Sequence, residues 1–436
     1  MGPIKPRRAG VAEREITPDG PVDLAHEMKP VRSSGVGSRL WARAAVLGGG
    51  KQTLAVVSLD LYGLQSACAD QLTAAICAAA GTTPESVMVF CSRTRNSPVT
   101  APIVGHEAVD GEYVAQIAGT VAEAVREAVA GMREASIGYG RAILPHLVYN
   151  HRLVTRNYKS VTAWLGVPAS EVIEPEGPID PELGVLVIRE AGGGPMCVMW
   201  TMGADNRFLD GGTVSADLPG WVQAGLDERA GAHVPALYIP GCGGNVSFIH
   251  GREQTADAVA DSVMAVQLET PCDSAVVLRC AAEKVVLPTR DTSQFWSEPD
   301  IELKLVDARD LFARELEILR QENAPAVPAQ VKVFRIGDLA LVGLPGVPFC
   351  EFSLQIKDAS PFPATMVGAN QGRDIGYILT RKAFAYEGYE AWPSRSARIG
   401  PGAGEFLTGQ VDALLRSLTE RDLIRASSDS TAARDS

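Results

Sequence analysis

The alternation of apolar and polar residues divides the chain into short strands and longer helices. Two segments repeat apolar residues at the helical period and predict helices at 113–132 and 301–321. Short runs rich in β-branched residues predict strands at 42–47, 53–59, 87–91, 184–189, 196–200, 234–239, 275–279, 331–336, 339–344 and 365–368. Gly337 and Asp338 separate two of these runs, so we expect a hairpin there. The pattern predicts an α/β fold with mixed β-sheets and covering helices.

The length of 436 residues allows either two or three cores or one large domain. We expect a single domain over 10–424, preceded by an N-terminal extension, 1–9. A lobe boundary near 271–274 is compatible with the sequence, although no long linker supports independent domains. The final stretch, 425–436, has no large apolar residue and is expected to be disordered.

The composition excludes several classes of function. With 52 acidic against 40 basic residues, spread along the chain, there is no basic stripe for nucleic acid. The apolar stretch 67–80 contains Asp70 and Gln71 and is shorter than the roughly 18 apolar residues that a membrane span needs. The N-terminal residues run into the polar segment 13–15, which is unlike a secretory signal. Eight scattered cysteines without a CxxC pair indicate reduced thiols, so we expect a cytoplasmic protein.

Five loops that follow predicted strands are dense in glycine, proline or polar residues, which is where α/β proteins usually carry their sites: 91–98, 215–220, 240–247, 344–349 and 370–390. In the first loop, Arg93 and Arg95 would point the same way on an extended backbone and could hold a carboxylate or phosphate. A solvated turn is the alternative.

The glycine-rich loop 240–247 could expose backbone amides as an anion-binding nest. Cys242 in this loop is either a nucleophile or, more simply, a small turn residue, because no histidine partner can be identified from the sequence. Asn245 of this loop, Asn96 of the first loop and Asp217 of the second are further candidates for substrate binding.

Taken together and in this order, these loops resemble segments of the neutral/alkaline ceramidase family of zinc amidases. The resemblance runs from about residue 10 to about residue 420 and rests on 10–18 (GVAEREITP), 38–44 (SRLWARA), 57–60 (VSLD), 215–220 (SADLPG), 241–247 (GCGGNVS) and 368–390. It implies the fold of the ceramidase catalytic domain, without the family's C-terminal immunoglobulin-like domain.

The resemblance also implies a zinc site, and there this sequence departs from the family. Arg93 and Arg95 stand where two histidines would be, Gly203 stands at the second histidine loop, and Val347 replaces a glutamate. Zinc needs about four neutral or anionic N, S or O donors, and arginine stays protonated. We therefore expect no zinc and no other cofactor.

Two tyrosines keep the family pattern. The resemblance matches Tyr377 to the tyrosine ligand and Tyr389 to a second tyrosine that assists the substrate carbonyl. An unfamiliar set such as Asp205, Asp217 and Tyr377 could still hold a harder ion such as magnesium.

The resulting hypothesis is a repurposed, metal-independent enzyme on a ceramidase-like hydrolase scaffold. Tyr377 and Tyr389 would be catalytic, and Arg93, Arg95 and Arg152 would bind a small soluble metabolite that carries a carboxylate or phosphate. Without a metal-activated water, elimination, cyclisation or acyl transfer is favoured over amide hydrolysis.

Two alternatives remain open at this stage. The protein could be an amide or ester hydrolase with an altered site, or a pseudoenzyme that serves as a binding or partner protein. In each case the expected partner is a small molecule rather than nucleic acid or a membrane, and a homo-oligomer is compatible with the sequence.

Overall fold

The computed structural model describes residues 7–49, 52–208, 211–293 and 308–432, with side chains up to residue 419. The strands are β1 (Arg7–Glu15), β2 (Asp23–Leu24), β3 (Val31–Arg32), β4 (Trp41–Gly49), β5 (Gln52–Leu59), β6 (Val87–Cys91), β7 (Arg133–Ile143), β8 (Val148–Asn150), β9 (Arg152–Thr155), β10 (Ser160–Thr162), β11 (Val172–Pro175), β12 (Glu182–Glu190), β13 (Pro195–Met202), β14 (Ala236–Pro240), β15 (Val246–Phe248), β16 (Leu278–Pro288), β17 (Ala326–Ile336), β18 (Leu339–Gly343), β19 (Val347–Pro348), β20 (Ala364–Gly368) and β21 (Tyr377–Ile378). The helices are α1 (Ser66–Ala80), α2 (Gly111–Ala130), α3 (Leu218–Ala230), α4 (Arg252–Glu269), α5 (Arg309–Glu322), α6 (Cys350–Ala359), α7 (Arg381–Tyr386) and α8 (Ala403–Ala432).

Two mixed β-sheets form the centre of the fold. The larger has the strand order β14-β13-β12-β7-β1-β4-β5-β6, with parallel pairing of β13 with β14 and of β5 with β6. The smaller has the order β16-β17-β18-β20, with β18 and β20 parallel. Because side chains alternate along a strand, Leu47 and Val56 face the smaller sheet, whereas Val46 and Val57 face helices.

The packing therefore has four layers. Helices α1 and α2 cover one half of the outer face of the larger sheet, and α3 and α4 cover the other half. Helices α5, α6 and α8 pack against the outer face of the smaller sheet. This architecture confirms the predicted α/β fold with mixed sheets and covering helices.

Each predicted strand overlaps an observed one, although 275–279 overlaps β16 only at its first two residues. The hairpin is confirmed, since β17 and β18 pair antiparallel across Gly337, whose φ is 65°. The helix predicted at 113–132 is α2. Residues 301–307 of the other predicted helix lie outside the described residues, and α5 begins at Arg309.

The ends of the chain differ from the prediction. Strand β1 starts at Arg7 and pairs with β7 from that residue, so 7–9 belong to the larger sheet rather than to an extension. Helix α8 continues to Ala432, into the tail predicted to be disordered, because no glycine or proline follows Gly409 to stop it. The segment 271–274 lies between α4 and β16, and a lobe boundary there stays a prediction. In the described ranges, no helix is long and apolar enough to cross a membrane.

Candidate functional site

Loops from the carboxyl ends of strands in both sheets meet at a small buried cavity of about 10 Å³, room for about one water molecule. Arg93 follows β6, Asp205 follows β13, Gly241 follows β14, Val347 follows β18 and Asn370 follows β20, and all five line this cavity. Loops at the carboxyl ends of strands are the usual place for ligands in α/β folds. Four of the five loops singled out in the sequence thus contribute directly to one place.

Arg93 is the central cation of this site. The residue is only 4% exposed, and its three guanidinium nitrogens make no hydrogen bond to any described residue. Three carboxylates approach it at longer range, with N–O distances of 3.8 Å to Glu27, 3.7 Å to Asp205 and 3.6 Å to Asp374. Arg93 is therefore held by charge but has donors available.

Aromatic rings enclose the same guanidinium. Its central carbon lies 4.4 Å from the ring centroid of Tyr62 and 5.4 Å from that of Tyr377, within cation–π range. The backbone at Arg93 is left-handed, with φ of 62°, so the expected extended geometry of this loop is wrong. Arg93 and Arg95 nevertheless converge, because both approach Glu27 and Asp205.

Arg95 differs from Arg93 in having its donors paired. It binds Asp205 through two hydrogen bonds of 3.0 and 2.8 Å and Glu27 through two of 3.3 and 3.2 Å. Burial alone would raise the pKa of Glu27, but Arg95, Arg207 and Arg93 outweigh it and lower that pKa to about 2. The donors of Arg95 are therefore paired with the protein's own carboxylates, and its role in binding an anionic substrate stays a prediction.

Asn96 and Asp217 hold two of the loops together. The Asn96 side-chain amide donates to an Asp217 carboxylate oxygen at 2.9 Å and to the Phe208 carbonyl at 2.7 Å, and its oxygen lies 2.8 Å from His26 Nε2. The Thr94 hydroxyl donates to the other Asp217 oxygen. These contacts connect loop 215–220 to loop 91–98, and a role of Asn96 and Asp217 in binding a substrate stays a prediction.

Asn245 was also predicted to bind substrate, which stays a prediction, and its described contacts are with the start of α6. Its oxygen accepts a hydrogen bond of 2.9 Å from the Cys350 amide at the start of α6, and its nitrogen donates to Glu351 at 2.8 Å. Cys242 in the same loop is fully buried, and burial raises the pKa of its thiol. It is thus a packing residue, and all eight cysteines, which lie within the described residues, are free thiols.

Arg152 lies in a separate buried ion-pair network. It donates to Glu176 at 2.8 Å, to Glu390, and to the carbonyl of Glu387. Burial alone would raise the pKa of Glu390. Arg152, together with His151, outweighs burial and lowers that pKa to about 2. Two buried carboxylates already pair with Arg152, so its described contacts hold the fold, and its role in binding an anionic substrate stays a prediction.

The two predicted catalytic tyrosines lie in the neighbourhood of the cavity. Tyr377 belongs to β21, which pairs with Val347. Tyr389 packs edge-on against Trp164 and Trp392, at ring-centroid distances of 5.1 and 5.7 Å. Burial, followed by the negative charge of Glu27, raises the pKa of both hydroxyls, so both stay neutral at physiological pH.

The residues at the family's zinc positions do not fit zinc. Gly203 has no side chain, Val347 has no donor atom, and of this set only Tyr377 offers an oxygen. Within the described ranges, no three His, Cys, Asp or Glu side chains converge as metal ligands. The magnesium alternative is not supported either, because Asp205 is bonded to Arg95, and Asp217 to Thr94 and Asn96.

The arginines and carboxylates that meet at Arg93 form one charged cluster: Arg93, Arg95, Arg207, Glu27, Asp205 and Asp374. Sequence reasoning missed several of its members. Glu27 stands in the loop between β2 and β3 with no local motif to mark it, and Tyr62 and Arg207 are equally unmarked. Asp374 could have been found, because it lies in loop 370–390. The approach of Asp374 is possible because Gly63 has no side chain, since a Cβ there would lie 2.6 Å from the Asp374 carboxylate.

Comparison with known proteins identifies the fold. A structure described as a ceramidase complexed with C2 matches with a TM-score of 0.70 and 16% identity over 95% of this chain and 76% of its own. The neutral ceramidase from Pseudomonas aeruginosa matches with a TM-score of 0.69 and 17% identity over 95% and 75%. No protein-family model and no curated protein sequence matches the chain. Identity this low shows the fold alone, and we conclude that the chain has a ceramidase-like α/β fold.

Proposed function

We propose that the protein is a metal-independent enzyme on a ceramidase-like scaffold that acts on a small metabolite bearing a carboxylate or phosphate. The observation that carries this proposal is the buried Arg93 guanidinium, whose three nitrogens have no hydrogen-bond acceptor among the described residues. An unpaired buried donor costs about 1–3 kcal/mol, which an anionic oxygen of a ligand would recover.

A larger pocket offers room for the rest of such a substrate. This pocket has a volume of about 700 Å³ and is lined by Arg156, Lys159, Tyr389 and Trp392, among others. Small-molecule sites typically occupy about 300–1,000 Å³. Tyr389 packs edge-on against Trp164, and Arg207 of the charged cluster lies over the same Trp164 ring, 4.0 Å from its centroid, so this pocket adjoins the cluster. Because the inner cavity is only about 10 Å³, an anionic group can reach Arg93 there only if a lining side chain such as Asp205 moves aside.

The ionisation of the site favours one reaction type. The neutral hydroxyls of Tyr377 and Tyr389 are suited to donate hydrogen bonds to a developing oxyanion. Elimination and cyclisation need a base that removes a proton, and Glu27, with a pKa of about 2, is a weak base. Of the three reactions, acyl transfer from an activated ester therefore fits these residues best, because it depends most on stabilising an oxyanion.

Isothermal titration calorimetry with a panel of small carboxylates and phosphates tests the proposal. We expect at least one of them to bind the wild-type protein and its affinity to fall about 10- to 100-fold in Arg93→Ala, the loss of one charged hydrogen-bond partner. Arg416→Ala, which removes an exposed arginine that pairs with Asp412, is the matched control. Equal affinity in the wild type and Arg93→Ala, or no binding by any compound, would contradict the proposal.

A second candidate, a binding protein without catalysis, has a specific observation in its favour. The formal charges of the charged cluster cancel. It contains three guanidinium groups and three carboxylates: Arg93, Arg95, Arg207, Glu27, Asp205 and Asp374. Such a cluster can be maintained for stability alone. A screen of ester and amide substrates, with elemental analysis of the purified protein, separates the two, since binding without turnover would favour this candidate.

A further inference from the structure

Three side chains near the charged cluster form a continuous hydrogen-bonded line. The Ser247 hydroxyl lies 2.8 Å from His151 Nδ1, and His151 Nε2 lies 3.1 Å from a carboxylate oxygen of Glu390. Ser247 belongs to β15, directly after the glycine-rich loop, and Glu390 lies in a short 3-10 turn, Tyr389–Ala391. The three residues come from distant parts of the sequence, so the fold alone assembles them.

The direction of the proton in this line follows from Glu390. Arg152 holds the pKa of Glu390 at about 2 despite its burial, so the carboxylate is ionised and can only accept hydrogen bonds. His151 must then donate from Nε2, which leaves a lone pair on Nδ1 in the neutral ring. The Ser247 hydroxyl therefore donates to Nδ1, and the imidazole is set to take its proton.

Exposure distinguishes the three members. His151 is 3% and Glu390 1% exposed, whereas Ser247 is partly exposed. Tyr149 is the cross-strand partner of Ser247, so its half-buried ring lies on the same face of the sheet. Ser247 is thus a partly exposed residue with an aromatic neighbour, while His151 and Glu390 are shielded from water.

We infer that Ser247 is a nucleophile that accepts an acyl group from an activated ester, with His151 as its base and Glu390 as the residue that orients the imidazole. The arrangement is the mirror of the familiar triad, in which serine faces Nε2, but either ring nitrogen can accept the proton while the other donates. This goes beyond the proposed function, because it requires neither Arg93 nor an anionic ligand.

The reaction balances with the residues present and water. As Ser247 Oγ bonds to the acyl carbon, its proton passes to His151 Nδ1, and the leaving alcohol departs with that proton. The product of this half is a serine ester. Water then attacks the ester carbon while giving a proton to Nδ1, the acid is released, and Oγ recovers its proton.

Labelling with a fluorophosphonate probe, read by intact mass and peptide mapping, tests the inference on the full chain. We expect one adduct on the peptide containing Ser247, no adduct in Ser247→Ala, and labelling at least about 100-fold slower in His151→Ala. Ser262→Ala removes a partly buried serine of α4 and should label as the wild type does. Glu390→Gln should lower the pH of half-maximal labelling, a shift that a purely structural role would not produce.

Two results would overturn the inference: a folded wild-type chain that takes up no probe, or an adduct that persists in Ser247→Ala. Thermal unfolding of each variant establishes that it is folded. Where His151→Ala does not fold, peptide mapping of the wild-type adduct carries the test by itself. Labelling reports on Ser247 and anion calorimetry reports on Arg93, so either proposal can fail without the other.

Discussion

Two buried arginines of this protein, Arg152 and Arg93, differ in what surrounds their donors. Arg152 is fully buried and hydrogen-bonds to Glu176, Glu390 and backbone carbonyls. Arg93 is 4% exposed and, within the described part of the chain, has carboxylates only at 3.6–3.8 Å and no hydrogen bond. Burial alone therefore does not reveal the role of an arginine, whereas the state of its donors does.

The surroundings explain the difference. At Arg152 the backbone comes close enough to accept hydrogen bonds, because Gly388, with φ of 96°, has no Cβ, and one there would lie 3.0 Å from the guanidinium. At Arg93, the guanidinium carbon lies 4.4 and 5.4 Å from the ring centroids of Tyr62 and Tyr377, whose faces accept no conventional hydrogen bond. The first arrangement stabilises a fold, and the second leaves a cation with unused capacity.

The largest effect is expected from Arg152→Met. The substitution leaves Glu176 and Glu390 buried without their cation, which typically costs about 3–5 kcal/mol. Urea denaturation should show this loss in the free energy of unfolding. Arg416→Met is the control. It removes a surface ion pair in which the arginine side chain is 59% exposed, and it should lower the free energy of unfolding by less than about 0.5 kcal/mol. If Arg152→Met were as stable as the control, Arg152 would not have the structural role that distinguishes it from Arg93.

Acid should weaken both regions, because Glu390 and Glu27 each have a pKa of about 2 in the folded protein. A carboxyl whose pKa is lower when folded than when unfolded stabilises the fold above its unfolded pKa, about 4.3, and loses that contribution as the pH falls toward 2. Each group contributes roughly 3 kcal/mol by this linkage. Unfolding at pH 6, 4 and 3 should show the decline, and Glu27→Gln should make it shallower. Equal stability at pH 6 and pH 3 would contradict the assignment.

The smallest effect on stability is expected from Arg93→Met. The substitution removes no hydrogen bond to a described residue, and Glu27 keeps Arg95 and Arg207 as partners. Asp374 loses its 3.6 Å ion pair with Arg93 but keeps its hydrogen bond from the Gly376 amide. We expect a change of less than about 1 kcal/mol, because the cost of desolvating an unpaired guanidinium disappears along with its ion pairs. A loss as large as that of Arg152→Met, measured by the same urea denaturation, would make Arg93 a structural residue.

Much of the fold could be predicted from the sequence because its signals are local. The nearly continuous apolar runs of β4 and β5 reflect a sheet with a core on both faces, and the glycine between β17 and β18 marks the hairpin. Helix α4 was not predicted, because its apolar residues recur only weakly at the helical period. Its burial comes from packing on α3 and the larger sheet.

The candidate site could be predicted only in part. The sequence by itself shows the order of the glycine-rich loops. It also shows that three positions lack zinc-binding side chains: Arg93, Gly203 and Val347. The loops meet in space because they follow strands of the two packed sheets whose carboxyl ends lie close together.

The sequence by itself determined the class of the fold, the loops that carry the site and the residues that cannot bind zinc. The tertiary structure alone decided which charges meet, because the partners lie far apart along the chain: Arg95 and Glu27 are 68 residues apart, and Arg152 and Glu390 are 238 apart. A local pattern records how each element is buried, whereas a hydrogen bond between two loops depends on the packing of every layer between them. That is why arginines alike in sequence became a paired structural residue at 152 and a cation with unpaired donors at 93.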